Sequence, residues 1–177
     1  TEGHRDILVF REGGRMEPFN FTVPYPQPYI PRALSYEVPG RILSDASEMR
    51  PLDENRVIEI LEDLKAKEVE SVAVCLLWSI INSAHEDRVG ELIVQHLPGV
   101  PYTLSHVLNP SLREYRRASS AAIDASLKPL MSAYMHNLTG RLSEAGFAGR
   151  VLIVTSQGGM MDASDIAEQP IHLINSG

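Results

Sequence analysis

Between residues 53 and 105 the apolar side chains change period three times, and no other feature of this 177-residue chain limits its fold as strongly. Val57, Ile58, Leu61 and Leu64 recur on one face of a helix, with Glu54, Glu59, Glu62 and Asp63 on the solvated side. Asp53 is placed to cap that helix and Leu52 to pack against Val57 as a staple. The run Val72-Ala73-Val74-Cys75-Leu76-Leu77-Trp78 has no alternation and reads as a strand buried on both faces. Ser83 and Glu86 then have the spacing of a capping box for a second helix, whose Val89, Leu92, Ile93, His96 and Leu97 share a face before Pro98-Gly99. Tyr102-Thr103-Leu104-Ser105 reads as a further strand. Strand, helix, strand in this order implies right-handed crossovers. The expected class is α/β, a mostly parallel sheet with flanking helices, forming one domain over residues 51–177.

Residues 111–145 are too long for one uninterrupted helix with Pro129 inside it. A break is expected there, with Pro129 in the first turn of a second helix and Leu130, Tyr134, Leu138 and Leu142 facing the core. Ala118-Ser119-Ser120-Ala121-Ala122 offers small side chains for close approach, and Gly146 suits a left-handed C-cap. Val151-Leu152-Ile153-Val154 reads as a mid-sheet strand, followed by a helical turn over 163–167 and a closing strand over 171–174. Residues 1–50 form an extended, Pro-rich β segment. It holds a strand at 6–10, a turn at Gly13-Gly14, an alternating strand at 34–38 and a returning stretch at 41–49. Pro24, Pro26, Pro28 and Pro31 deny it a helix or a central strand.

A formal net charge of −7 argues against binding nucleic acid or an anionic membrane, both of which favour a basic face. No apolar run approaches the ~20 residues needed to span a bilayer. The single Cys75 lies in an apolar run, and a chain without a disulfide framework fits the cytoplasm. The six histidines, at 4, 85, 96, 106, 136 and 172, have no metal-site spacing, so no metal is expected. A first residue other than Met, and an apolar run feeding directly into Asn175-Ser176-Gly177, suggest a piece of a longer protein.

Two stretches could carry chemistry. Ser156, Gln157, Gly158 and Gly159 follow an expected strand, and ligands of open α/β sheets lie at the carboxyl ends of strands. The glycine pair allows close backbone approach to a ligand, or it makes only a tight turn. In Arg113-Glu114-Tyr115-Arg116-Arg117, Glu114 can pair with Arg117 on a helix surface. Alternatively, Arg113 or Arg117 meets a carboxylate or phosphate. The chain has no Walker-type loop, dinucleotide fingerprint or nucleophile elbow.

In combination and in order, five segments resemble the hydantoinase/oxoprolinase family over nearly the whole chain. They are Gly3-His4-Arg5-Asp6; Val72 to Leu77 followed by Asn82 and His85-Glu86; Arg113-Glu114-Tyr115 with Arg117; Ser156-Gln157-Gly158-Gly159; and Ile174-Asn175-Ser176-Gly177. Two positions depart from its pattern: His4 replaces an aromatic, and Gln157 stands where the family often has Asn. This ATP-using group includes N-methylhydantoinase A, 5-oxoprolinase and subunits of acetone and acetophenone carboxylases. The resemblance implies a HyuA-type subunit with an actin-like ATPase, ribonuclease H-like fold, of which this chain is a fragment of the N-terminal region. It implies ATP and Mg²⁺ in the full-length protein, a HyuB-like partner subunit, and a small-molecule substrate of the hydantoin, 5-oxoproline or ketone class. The phosphate-binding motifs would fall outside residues 1–177, leaving the fragment without bound cofactor and inactive alone. The cleft would be lined by the Ser156–Gly159 turn with Arg113, Glu114 and Arg117. The rival reading is a non-catalytic α/β module that docks a partner subunit.

Overall fold

The computed structural model describes residues 1–12, 17 and 19–174. In chain order, α1 (Ile7–Phe10) and a 3-10 turn (Arg32–Leu34) precede β1 (Arg41–Ile42) and β2 (Glu48–Arg50). There follow α2 (Glu54–Ala66), β3 (Val72–Val74), α3 (Ala84–His96), β4 (Tyr102–Leu104), α4 (Ser105–Leu108) and α5 (Glu114–Glu144). The hairpin β5 (Leu152–Val154) and β6 (Met160–Asp162), α6 (Ala163–Glu168) and a 3-10 turn (Pro170–Leu173) close the chain.

Helix α2 begins where its cap chemistry puts it, since Asp53 Oδ1 accepts the Arg56 N–H at 3.0 Å. Strands β3 and β4 pair in parallel, with Val72, Ala73 and Val74 opposite Tyr102, Thr103 and Leu104, and α3 is the crossover between them. Val57, Leu61, Val74, Leu92 and Ile93 form the core between this sheet and the α2–α3 layer. On the other side lies α5, where buried Ala118, Ala121, Ala122 and Ala125 let its backbone come close to the strands. Farther along, Met135 packs with Ala163 and Ile166 of α6.

The α/β class and the β3-α3-β4 crossover hold, and the 41–49 stretch does return as the antiparallel hairpin β1–β2. Among the described residues there are three two-stranded ladders, of which only β3–β4 is parallel. Residues 7–10 form a helical turn rather than a strand, because Val9 and Phe10 donate to Asp6 O while Leu8 buries against Ala118 and Ala122. The 34–38 stretch is no strand among the described residues: Leu34 ends the 3-10 turn, and Tyr36 and Val38 cover the core as coil. The Gly13-Gly14 turn lies outside the described residues.

Helix α5 runs unbroken for 31 residues through Pro129. An interior proline costs about 3 kcal/mol, and packing against β3, β4, α6 and the final 3-10 turn outweighs it. With no new helix starting at Pro129, Leu130 and Tyr134 are exposed instead of buried. The end of α5 is as expected: Gly146 has φ 89°, and Phe147 N–H reaches Leu142 O at 2.9 Å.

The run 151–154 is not mid-sheet. Among the described residues it pairs only with β6, leaving Leu152 46% and Val154 61% exposed. Residues 171–174 are no strand either, since Ile171 donates its N–H to the buried Asp124 carboxylate at 3.1 Å and the chain coils there. Because Ile93 has no exposure at all, Ile93→Ala should cost about 2–5 kcal/mol through lost burial and a residual cavity. Urea denaturation measures this, and an unshifted midpoint would show that the α2–α3 layer is not the core.

Candidate functional site

The polar centre of the molecule lies at the carboxyl ends of β3 and β4. Parallel strands end there with backbone groups that no ladder partner satisfies, so side chains must supply the bonds. Glu86, in the first turn of α3, is fully buried and accepts from two of these backbone groups. Its Oε1 accepts the Leu76 N–H at 2.6 Å and the Ser105 hydroxyl at 2.7 Å. Its Oε2 accepts the His106 N–H at 3.1 Å and lies 2.7 Å from His106 Nδ1. A carboxylate has about four acceptor positions, and these contacts use them all. The other imidazole nitrogen of His106 lies 3.3 Å from Asp87.

Arg117, in the first turn of α5, comes from the opposite side and is 1% exposed. It donates to Leu76 O at 2.6 Å, to Ser105 Oγ at 3.3 Å and to Ser111 O at 3.3 Å. The Leu76 backbone is thus held at both polar atoms by charged side chains from two helices. Glu86 does not serve as the capping-box partner its spacing suggested. Ser83 has helical φ and ψ and no capping bond, and the Ala84 N–H goes to Asn82 Oδ1 at 3.1 Å.

Of the residues singled out in the sequence, Glu114 and Arg117 come together at 3.8 Å. Arg113 is exposed and 3.9 Å from Glu12, which Arg116 binds at 2.8 Å. The Glu114 carbonyl accepts from Cys75 Sγ at 3.7 Å, and desolvation pushes that thiol's pKa up, so it keeps its proton. The Ser156–Gly159 turn joins β5 to β6. The Thr155 hydroxyl donates to Gly158 O at 3.0 Å, and Ser156 donates its N–H and hydroxyl to His172 O at 2.9 and 3.0 Å. These bonds tie the turn to the final 3-10 segment rather than to α5. Gly158 and Gly159 have φ of 85° and 88°, and a Cβ on either would meet open space, so the turn needs glycine for its dihedrals. Gln157 is exposed.

Glu86, Ser105 and His106 are the centre's unexpected members. Their signal in the sequence is polarity directly beside two apolar strands, masked in Glu86 by a spacing that also fits a surface cap. Among the described residues, no group of three His, Cys, Asp or Glu is arranged to hold a metal. No helix among them is long and apolar enough to cross a membrane.

Comparison with known proteins gives a consistent result. The profile of the hydantoinase/oxoprolinase N-terminal region matches residues 1–97, and that of hydantoinase/oxoprolinase matches residues 117–177. Caprolactamase subunit alpha of Pseudomonas jessenii is 32% identical, the match covering 100% of this chain and 26% of that protein. The acetophenone carboxylase gamma subunit of Aromatoleum aromaticum is 34% identical over 92% of this chain and 24% of its own length. The crystal structure of ATP-dependent caprolactamase from Pseudomonas jessenii superposes with a TM-score of 0.90 at 32% identity, over 100% of this chain and 26% of that one. A nucleotide-free acetone carboxylase structure superposes at 0.76 with 20% identity, over 97% of this chain and 26% of that one, and shares the fold. The chain therefore spans about a quarter of the length of these relatives.

The Glu86 carboxylate is testable as the organising group. Glu86→Ala leaves the Leu76 and His106 N–H groups without acceptors, at about 1–3 kcal/mol for each buried donor. Arg117→Lys should also lower stability, because an ammonium cannot reproduce the guanidinium fork. Urea midpoints read both, and a Glu86→Ala midpoint equal to wild type would remove the carboxylate from this role.

Proposed function

The chain belongs to the hydantoinase/oxoprolinase family, and from that premise we propose that it is part of an ATP-dependent enzyme subunit. The subunit activates a cyclic amide for ring opening, or a ketone for carboxylation. The observation that carries this reading is the superposition of the whole chain on an ATP-dependent caprolactamase at a TM-score of 0.90. Relatives named as alpha and gamma subunits support a partner subunit, of HyuB-like type, in the working enzyme.

ATP and Mg²⁺ belong to the longer polypeptide in this reading, which has an actin-like ATPase fold. In this reading the charged groups among the described residues are engaged elsewhere. Arg117 and Glu86 are committed to Leu76 and Ser105, and Arg113 lies beside Glu12. We assign the phosphate- and Mg²⁺-binding groups to the remainder of the polypeptide, which leaves residues 1–177 inactive alone. The Ser156–Gly159 turn is our candidate for the substrate cleft. An exposed Gln157 can donate and accept hydrogen bonds there, and no neighbouring atom crowds the two glycines. Arg113 and Glu114 are secondary candidates.

Calorimetry of the 177-residue chain with MgATP should detect no tight binding, and tight Mg²⁺-dependent binding would overturn the division of labour. The longer polypeptide with its partner subunit should consume ATP in the presence of a hydantoin, lactam, 5-oxoproline or ketone. Failure with all of these would leave the docking-module reading. In that enzyme Gln157→Ala should lower kcat at least about tenfold, about 1.4 kcal/mol of transition-state stabilisation, with Tm unchanged. Wild-type turnover would return the turn to a purely structural role.

A further inference from the structure

A groove of about 930 Å³ lies between the outer edge of β4, helix α5 and the end of α6. That volume is in the range of small-molecule pockets, and neither stretch singled out in the sequence lines it. Leu104, Leu108, Pro129 and Ala167 give it apolar walls. Its charged groups are set at two depths. Lys128 is 8% exposed and Asp124 has no exposure, whereas Glu70 and Glu168 are exposed at the rim.

The buried carboxylate accounts for the buried cation only in part. Because Pro101 O accepts the Val72 N–H, the alternation of the parallel ladder turns Tyr102 C=O away from β3. Lys128 donates to that carbonyl at 2.6 Å. Asp124 is 3.7 Å from the ammonium, beyond hydrogen-bond reach. Both its oxygens are already used: Oδ2 accepts the Thr103 hydroxyl at 2.7 Å, and Oδ1 accepts the Ile171 N–H at 3.1 Å. An ammonium has three donors, so two of those on Lys128 have no acceptor among the described residues. A buried cation with unused donors, at the wall of an open groove, suits a carboxylate.

The rim selects the other end of the ligand. Glu70 and Glu168 repel a second anion and attract a cation, and the apolar walls suit methylene groups.

We infer that this groove is a binding site for a small ω-amino acid, with its carboxylate on Lys128, its methylene chain along the walls and its ammonium toward Glu70 and Glu168. The inference stands on the groove alone. Under the cyclic-amide reading, ring opening releases molecules of this class.

δ-Aminovalerate titrated into the 177-residue chain, followed by amide NMR, tests the site. It should give saturable shifts at the Tyr102, Leu104 and Gln169 amides. Pentylamine, which lacks the carboxylate, should bind about tenfold or more weakly. Valerate and glutarate, which lack the ammonium, should bind about threefold more weakly, because the rim is wet. Lys128→Met should weaken binding about tenfold or more, and Glu70→Gln combined with Glu168→Gln about threefold. Lys128→Met also removes the bond to Tyr102 O, so the ligand series on the unchanged chain supplies a reading independent of folding. Pentylamine binding as tightly as δ-aminovalerate would overturn the carboxylate end, and glutarate binding as tightly would overturn the ammonium end. The absence of a saturable shift, or shifts centred away from the groove, would overturn the site itself.

Discussion

The bonds from Glu86 and Arg117 to the Leu76 backbone hold together elements that the β-ladder alone could not. Strands β3 and β4 are three residues long, and an isolated pair of that length is marginal in water. The carboxylate comes from α3 and the guanidinium from α5, and both also bind Ser105 at the start of α4. Burying two charges costs several kcal/mol per ion after relaxation. Hydrogen bonds to charged groups contribute about 1.5–3 kcal/mol each, and here nearly every available position is used. Saturation is what makes burial tolerable, and it places five elements around one point.

The same clamp accounts for two strained residues. Trp78 has φ 59° and Arg113 has φ 76°, conformations that cost a non-glycine residue about 1–3 kcal/mol. Trp78 lies two residues after Leu76, whose N–H and C=O are both held; Arg113 lies two residues after Ser111, whose carbonyl Arg117 holds. With those peptide groups fixed in direction, the chain turns sharply at Trp78 after β3 and at Arg113 before α5. These two flank the carboxyl ends of the sheet, where open α/β folds place their ligands, while Arg11, Ala46 and Glu68 take positive φ in turns elsewhere.

Much of this architecture was legible in the sequence, where local chemistry and packing agree. Asp53 caps α2, the apolar residues of α2 and α3 face one core, and Gly146 ends α5, because each depends on interactions a few residues apart. Legibility failed where a distant group decided the outcome. Ser83 and Glu86 have capping-box spacing, but two strand ends and a serine hydroxyl drew the carboxylate inward. Pro129 should stop a helix, but contacts along both halves of α5 carry it through. Ile171 looks like a strand residue until Asp124, 47 positions away, takes its N–H. The candidate site was legible by half: Arg117 stood out, whereas its counterpart Glu86 did not.

A second kind of failure has a different cause. Leu130, Tyr134, Leu152 and Val154 were read as buried, and all are more than 45% exposed. An apolar pattern reflects the burial a residue has in the whole polypeptide, and this chain spans about a quarter of its relatives' length. Where this chain's own helices supply the cover, as for Ile93 and Ala121, pattern and exposure agree. Where they do not, Leu152, Val154 and Met160 of the hairpin β5–β6 and Leu130 and Tyr134 of α5 stay exposed among the described residues.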